Sequence, residues 1–149
     1  MMQRKFAWGG LLALLALFIS AEVFAQADVI ENRQKLMKSN SESTKAIKAA
    51  AESKDYATIE TKAKVIVGNA DRILDLFPKG STKGKTKAKD DIWEKFDEFS
   101  KNPVKLKKAA SELADAAKAK DEGIDVKVKA LGDVCGACHK AFRAEKYSE

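Results

Sequence analysis

From Asp28 to Phe142 the apolar residues recur at alternating steps of three and four, and no stretch alternates apolar with polar residue by residue. That period belongs to the α-helix, in which such positions share one face. Tyr56, Ile59, Ala63, Ile66, Ala70, Ile73 and Phe77 form one stripe, and Ile92, Phe96, Phe99, Pro103, Leu106, Ala110, Leu113 and Ala117 a second. Ile124, Val128, Leu131, Cys135, Cys138 and Phe142 form another. An earlier stripe, Val29, Arg33, Leu36/Met37, Asn40, Thr44, Ile47 and Ala51, is more polar in its lower half than a core helix should be. Chain breaks fall between these segments, at Ser53-Lys54-Asp55, Phe77-Pro78-Lys79-Gly80 and Gly123; Ser53 or Asp55 suits the N-cap of the second helix. Pro103 sits inside the third pattern and predicts a kink or break near Asn102. Apart from Pro78 to Lys89 the connections are short, which favours an all-α, antiparallel up-down-up-down four-helix bundle.

The first 25 residues are set apart from this pattern. Arg4 and Lys5 precede an uncharged run from Phe6 to Ile19, and small residues follow at Val23-Phe24-Ala25 and Ala25-Gln26-Ala27. This is the layout of a cleaved secretory signal, and the apolar run is shorter than the roughly 20 residues of a membrane-spanning helix. The expected organisation is a signal over 1–25 and a bundle domain over 26–149, with cleavage after Ala27 as the alternative. Export places the mature chain in the periplasm. Losing Arg4, Lys5 and Glu22 lowers the formal charge of +6 by one and leaves Met37, Trp93 and His139 as the sole residues of their types.

The chain has two cysteines and one histidine. All three fall in Cys135-Gly136-Ala137-Cys138-His139, the C-x-x-C-H pattern of c-type haem attachment. On a helix these residues occupy i, i+3 and i+4 and point to one side. Two thiols there can add to the two vinyl groups of a haem while the imidazole reaches the iron from the same face. The cysteines also belong to the apolar stripe, so the haem would lie inside the bundle and supplement a core that is modest in aromatic residues. Three alternatives compete. A thioredoxin-like redox pair lacks its βαβ context and gives the histidine no task, zinc would find no further N/S ligand beyond His139, and a structural bridge in an exported protein is the plainest of the three.

Together with the signal and the four amphipathic segments, three further features carry a family resemblance. They are Lys140-Ala141-Phe142-Arg143 after the motif, the Ile92-Trp93 pair opening the third helix, and Arg33-Gln34-x-x-Met37 on the first. The chain resembles the class II c-type cytochromes, which comprise cytochrome c prime and its low-spin, methionine-ligated relatives. The resemblance implies one covalent haem c, with Cys135 and Cys138 in thioether bonds and His139 as proximal iron ligand. It also implies Arg143 near the proximal haem face, Arg33 and Gln34 at the haem edge and propionates, Lys87 facing a propionate, and Met37 on the distal side.

The sixth iron site separates two functions. If Met37 bonds the iron, the haem is six-coordinate and low spin and the protein is a one-electron carrier. If Met37 only covers the iron, the site is five-coordinate and high spin and binds NO or CO. Gln34-Lys35-Leu36-Met37-Lys38 and Leu76-Phe77-Pro78 look more like the methionine-ligated branch, and the polar run Ser39 to Thr44 departs from the apolar distal helix of the gas-binding branch. The His139/Met37 carrier is therefore the first expectation and the gas-binding cytochrome c prime the alternative. Lys79, Lys83, Lys85, Lys87 and Lys89 fit either an acidic redox partner or a solvated loop. Nucleic acid is disfavoured, because that loop has no interleaved aromatic residues. No second histidine supports enzymatic acid–base work, so a non-enzymatic protein is expected. A homodimer through the first two helices is implied by the resemblance.

Overall fold

A computed structural model of the protein describes the backbone of residues 9–82 and 84–147, and side chains from residue 28 on. The side chains of the expected signal, and Lys83 of the basic loop, lie outside the described residues. The helices are α1 (Gly9–Glu52), α2 (Tyr56–Arg72), α3 (Asp91–Glu94), α4 (Phe96–Lys118) and α5 (Ile124–Phe142), with a 3₁₀ turn at Leu74–Leu76. The four long ones are the expected bundle. α1 packs on α2, α2 on α4 and α4 on α5, whereas α1 and α5 meet only briefly and leave a slot between them.

Each helix follows from local chemistry. Of the two candidate caps for α2, Asp55 serves: its Oδ1 accepts the Thr58 amide at 3.1 Å and its Oδ2 the Thr58 hydroxyl at 2.6 Å. Lys54 and Lys120 adopt left-handed φ values of 54° just past the ends of α1 and α4, where the chain turns back. Ile47, Ile59, Ile66, Ile92, Leu113 and Leu131 are fully buried, and Ala63 and Ala110 keep α2 and α4 close. At the other end Phe99 meets Phe77 at 4.8 Å and Phe142 edge-on at 5.4 Å, while Trp93 Nε1 donates to the Pro78 carbonyl at 2.9 Å.

Two expectations are corrected. The third segment breaks at Lys95, between α3 and α4, and not near Asn102; α4 runs unbroken through Pro103. Pro103 has no amide hydrogen for the Phe99 carbonyl, but Asn102 Nδ2 donates to that carbonyl and to Glu98, both at 3.0 Å. The basic loop is also more than a solvated strand of lysines. Ala88 and Arg143 form an antiparallel bridge, flanked by Lys89 N–H to Phe142 O (3.1 Å) and Ala144 N–H to Lys87 O (2.8 Å). Lys89 Nζ donates to the Lys140 and Ala141 carbonyls at the end of α5, where a cation complements the helix dipole. Lys85 and Lys87 lie over the Tyr147 ring.

Candidate haem site

The slot between α1 and α5 opens into a cavity of about 710 Å³, within the range of roughly 300–1,000 Å³ usual for cofactor sites. One wall is the last half of α5. Cys135 and Cys138, both half-buried free thiols, and His139 line it together. Facing it, Arg33, Gln34, Met37, Asn40 and Thr44 come from α1, and apolar side chains such as Ile73, Phe77, Phe99, Leu106 and Phe142 fill the sides. Met37, the one methionine outside the expected signal, thus lines the same cavity as His139.

Burial sets the protonation of the α5 residues. It pushes the Cys135 thiol up from its ordinary range and Cys138 up to about 11, so both are neutral S–H groups at neutral pH. Lys48 acts weakly against this at Cys135. Partial burial of the ring, with Arg143 close by, lowers the His139 pKa and favours the neutral imidazole that binds metals.

The remaining expected residues are placed as follows. Arg33 is 4% exposed and its donors are taken by the loop. Nε reaches Leu76 O at 2.9 Å, Nη2 reaches Ser81 Oγ at 2.6 Å, and Ser81 O and Thr86 Oγ1 accept at 3.3 Å. The guanidinium also lies 4.1 Å over the Phe77 ring, and desolvation lowers its pKa to about 10. It forms no ion pair among the described residues. Gln34 is exposed and donates to Lys85 O at 2.7 Å, and Lys87 Nζ donates to Glu145 O at 2.7 Å. Arg143, expected near the proximal haem face, is the extended residue just beyond α5 and lines the cavity.

Ser81 and Thr86 escaped the sequence reading. Both are buried, and their hydroxyls answer Arg33. The signal available was the three hydroxyl residues Ser81, Thr82 and Thr86 among the glycines and lysines of the loop. Asn40 was noted only as an oddly polar core residue. It is buried, and its Oδ1 accepts from Asn69 Nδ2 of α2 at 2.8 Å.

The donor set suits a haem on chemical grounds: two neutral thiols, one imidazole and a large, mostly apolar cavity with cations at its rim. Comparison with known proteins agrees. The family model of cytochrome c′ matches residues 28–143. A cytochrome c-556 of Agrobacterium tumefaciens is 35% identical over 123 residues, covering 80% of this chain and all of the relative. A cytochrome c′ of Rhodospirillum rubrum is 34% identical, with 90% and 94% covered. The crystal structure of cytochrome c′ from Thermochromatium tepidum superposes with a TM-score of 0.75 at 26% identity, covering 80% of this chain and 97% of that one. Because the match takes in all four long helices and the attachment motif, the chain belongs to the cytochrome c′ family, a class II c-type cytochrome with one covalently bound haem c.

Proposed function

We propose that this monohaem cytochrome is of the cytochrome c′ type, with His139 binding the iron on one side and Met37 covering, without bonding, an opposite side that admits NO or CO. The observation that carries the reading is the cavity itself, which sets the α5 motif and Met37 on facing walls. The family model and the solved relative, both cytochromes c′, favour this arrangement over the methionine-ligated carrier that the sequence put first. The haem supplies a one-electron couple and, in this arrangement, an open coordination position.

The chain's own residues hold and surround it. Cys135 and Cys138 would hold the group covalently, each neutral thiol adding across a vinyl group with sulfur bonding one carbon and hydrogen passing to the other, so that nothing would be lost. His139 is neutral and presents a ring nitrogen. Arg33 keeps a buried positive charge with no carboxylate beside it, suited to a propionate, while its N–H groups hold the loop. Gln34, Lys87 and Arg143 line the same rim. The polar α1 wall at Asn40 and Thr44 supports the second reading, in which Met37 ligates and the protein is a low-spin electron carrier, since a dry gas pocket would be apolar there. Export to the periplasm by the 1–25 signal, a non-enzymatic role and a homodimer through α1 and α2 accompany either reading.

The optical and paramagnetic resonance spectra of the purified holoprotein discriminate. A high-spin resting state that binds CO or NO without mutation is the expected result. A low-spin resting state that turns high-spin in Met37→Ala would overturn it.

A further inference from the structure

Among the described residues, every charged side chain that lines the haem cavity is basic. Lys38, Lys45 and Lys48 follow one another along α1, Arg33 lies below them, and Lys87 and Arg143 stand across the slot; no described aspartate or glutamate lines it. Lys38, Lys45, Lys48 and Arg143 are exposed. Lys45, Lys48 and Arg143 form no ion pair among the described residues, and Lys38 has only a 3.9 Å pair with Glu42, both largely in solvent, where such contacts contribute little.

Elsewhere among the described residues several lysines sit beside carboxylates. Lys35 pairs with Glu31, Lys107 with Asp71, Lys127 with Glu112 and Lys129 with Asp133. Lys54, Lys118 and Lys120 are also without an ion pair, but at the cavity Arg33, Lys38, Lys45, Lys48, Lys87 and Arg143 gather with no carboxylate among the described lining residues, and low-dielectric cavity walls focus such a field.

We propose that this basic rim is the docking surface for a protein partner that presents a cluster of Asp and Glu side chains. The inference rests on the haem reading above and names the partner chemistry it calls for. A small anion is a poorer fit. The one deeply buried cation, Arg33, is already assigned to the loop and to a haem propionate, and the lysines are exposed and spread along a helix. A lipid surface is a poorer fit too, since the exposed hydrophobic residues Val65, Phe96, Val104 and Val126 lie outside the rim and Tyr147, which lines it, is covered by Lys85 and Lys87. Two haem propionates remove part of the charge and leave an excess of cations. Long exposed lysines act mainly on encounter, so association and salt dependence carry the effect.

The test titrates the holoprotein with an acidic flavodoxin as model partner, by calorimetry at low and at physiological ionic strength. Saturable binding that weakens at least about tenfold with salt is expected. The triple variant Lys38→Glu/Lys45→Glu/Lys48→Glu should lose about tenfold or more in affinity. Lys54→Glu/Lys118→Glu/Lys120→Glu, with the same change in net charge away from the cavity, should lose less than about threefold. Equal losses in the two triples, or no binding to flavodoxin, overturn the proposal. Rim-dependent binding to phosphatidylglycerol vesicles with none to flavodoxin overturns it in favour of a membrane. The haem spectrum of each sample reads iron ligation separately, so failure of the docking surface and failure of the haem reading are told apart.

Discussion

Arg33 illustrates how a single residue joins two roles that a sequence presents as one. Its place on the apolar stripe of α1 marked it as more than a surface charge, and the resemblance pointed it at a carboxylate. The fold adds a clamp on the loop after α2 through Leu76, Ser81 and Thr86. Those acceptors were not legible beforehand, because nothing in a Gly/Ser/Thr/Lys stretch says which hydroxyls turn inward. Arg33→Leu should cost at least about 2 kcal/mol in urea unfolding, because several buried oxygens lose their donors at once. Arg33→Lys should restore little of this, since a point amine does not reproduce the fork that spans them.

At the scale of helices, periodicity located the four long segments, and the C-x-x-C-H spacing placed its three residues on one wall. Pro103 misled because its neighbour repairs the damage: the Asn102 amide occupies the carbonyl that proline leaves open. A propensity rule sees the missing donor and overlooks a side chain able to replace it. The cap of α2 is a cleaner case, and it yields a pH prediction. The hydrogen bonds from Thr58 hold the Asp55 carboxyl below its ordinary value of 3.8. A carboxylate depressed in the folded state contributes its stability in full above the unfolded pKa and loses it as pH falls through the folded one. Asp55→Asn should keep an acceptor for the Thr58 amide yet show a flatter fall in melting temperature between about pH 5 and pH 2. Thermal melts across that range, followed by circular dichroism, provide the comparison.

For the whole molecule, the bundle and its cavity are one design. The tight α2–α4 contact, lined by alanines and isoleucines, is self-sufficient, whereas the α1–α5 side is held apart by a space that apolar side chains line without filling. Unfilled apolar cavities destabilise in proportion to their volume. The double variant Cys135→Ser/Cys138→Ser, produced without attached haem, should therefore melt well below the holoprotein, with α1 and α5 losing amide exchange protection before α2 and α4. Equal protection across all four helices would contradict that picture. The sequence made the need for a large filler visible through its scarcity of aromatic residues, but not the asymmetry of the gap, which depends on how closely α2 and α4 approach.

The bridge between Ala88 and Arg143 closes a circuit around the cavity. One cavity wall belongs to the first helix and the other to the last, and the segment after α5 fastens to the loop that Arg33 anchors. The α5 wall that carries Cys135, Cys138 and His139 is thus tied at its C-terminal end to the loop that Arg33 clamps from the α1 wall, so the two sides of the cavity are joined through one short stretch of backbone.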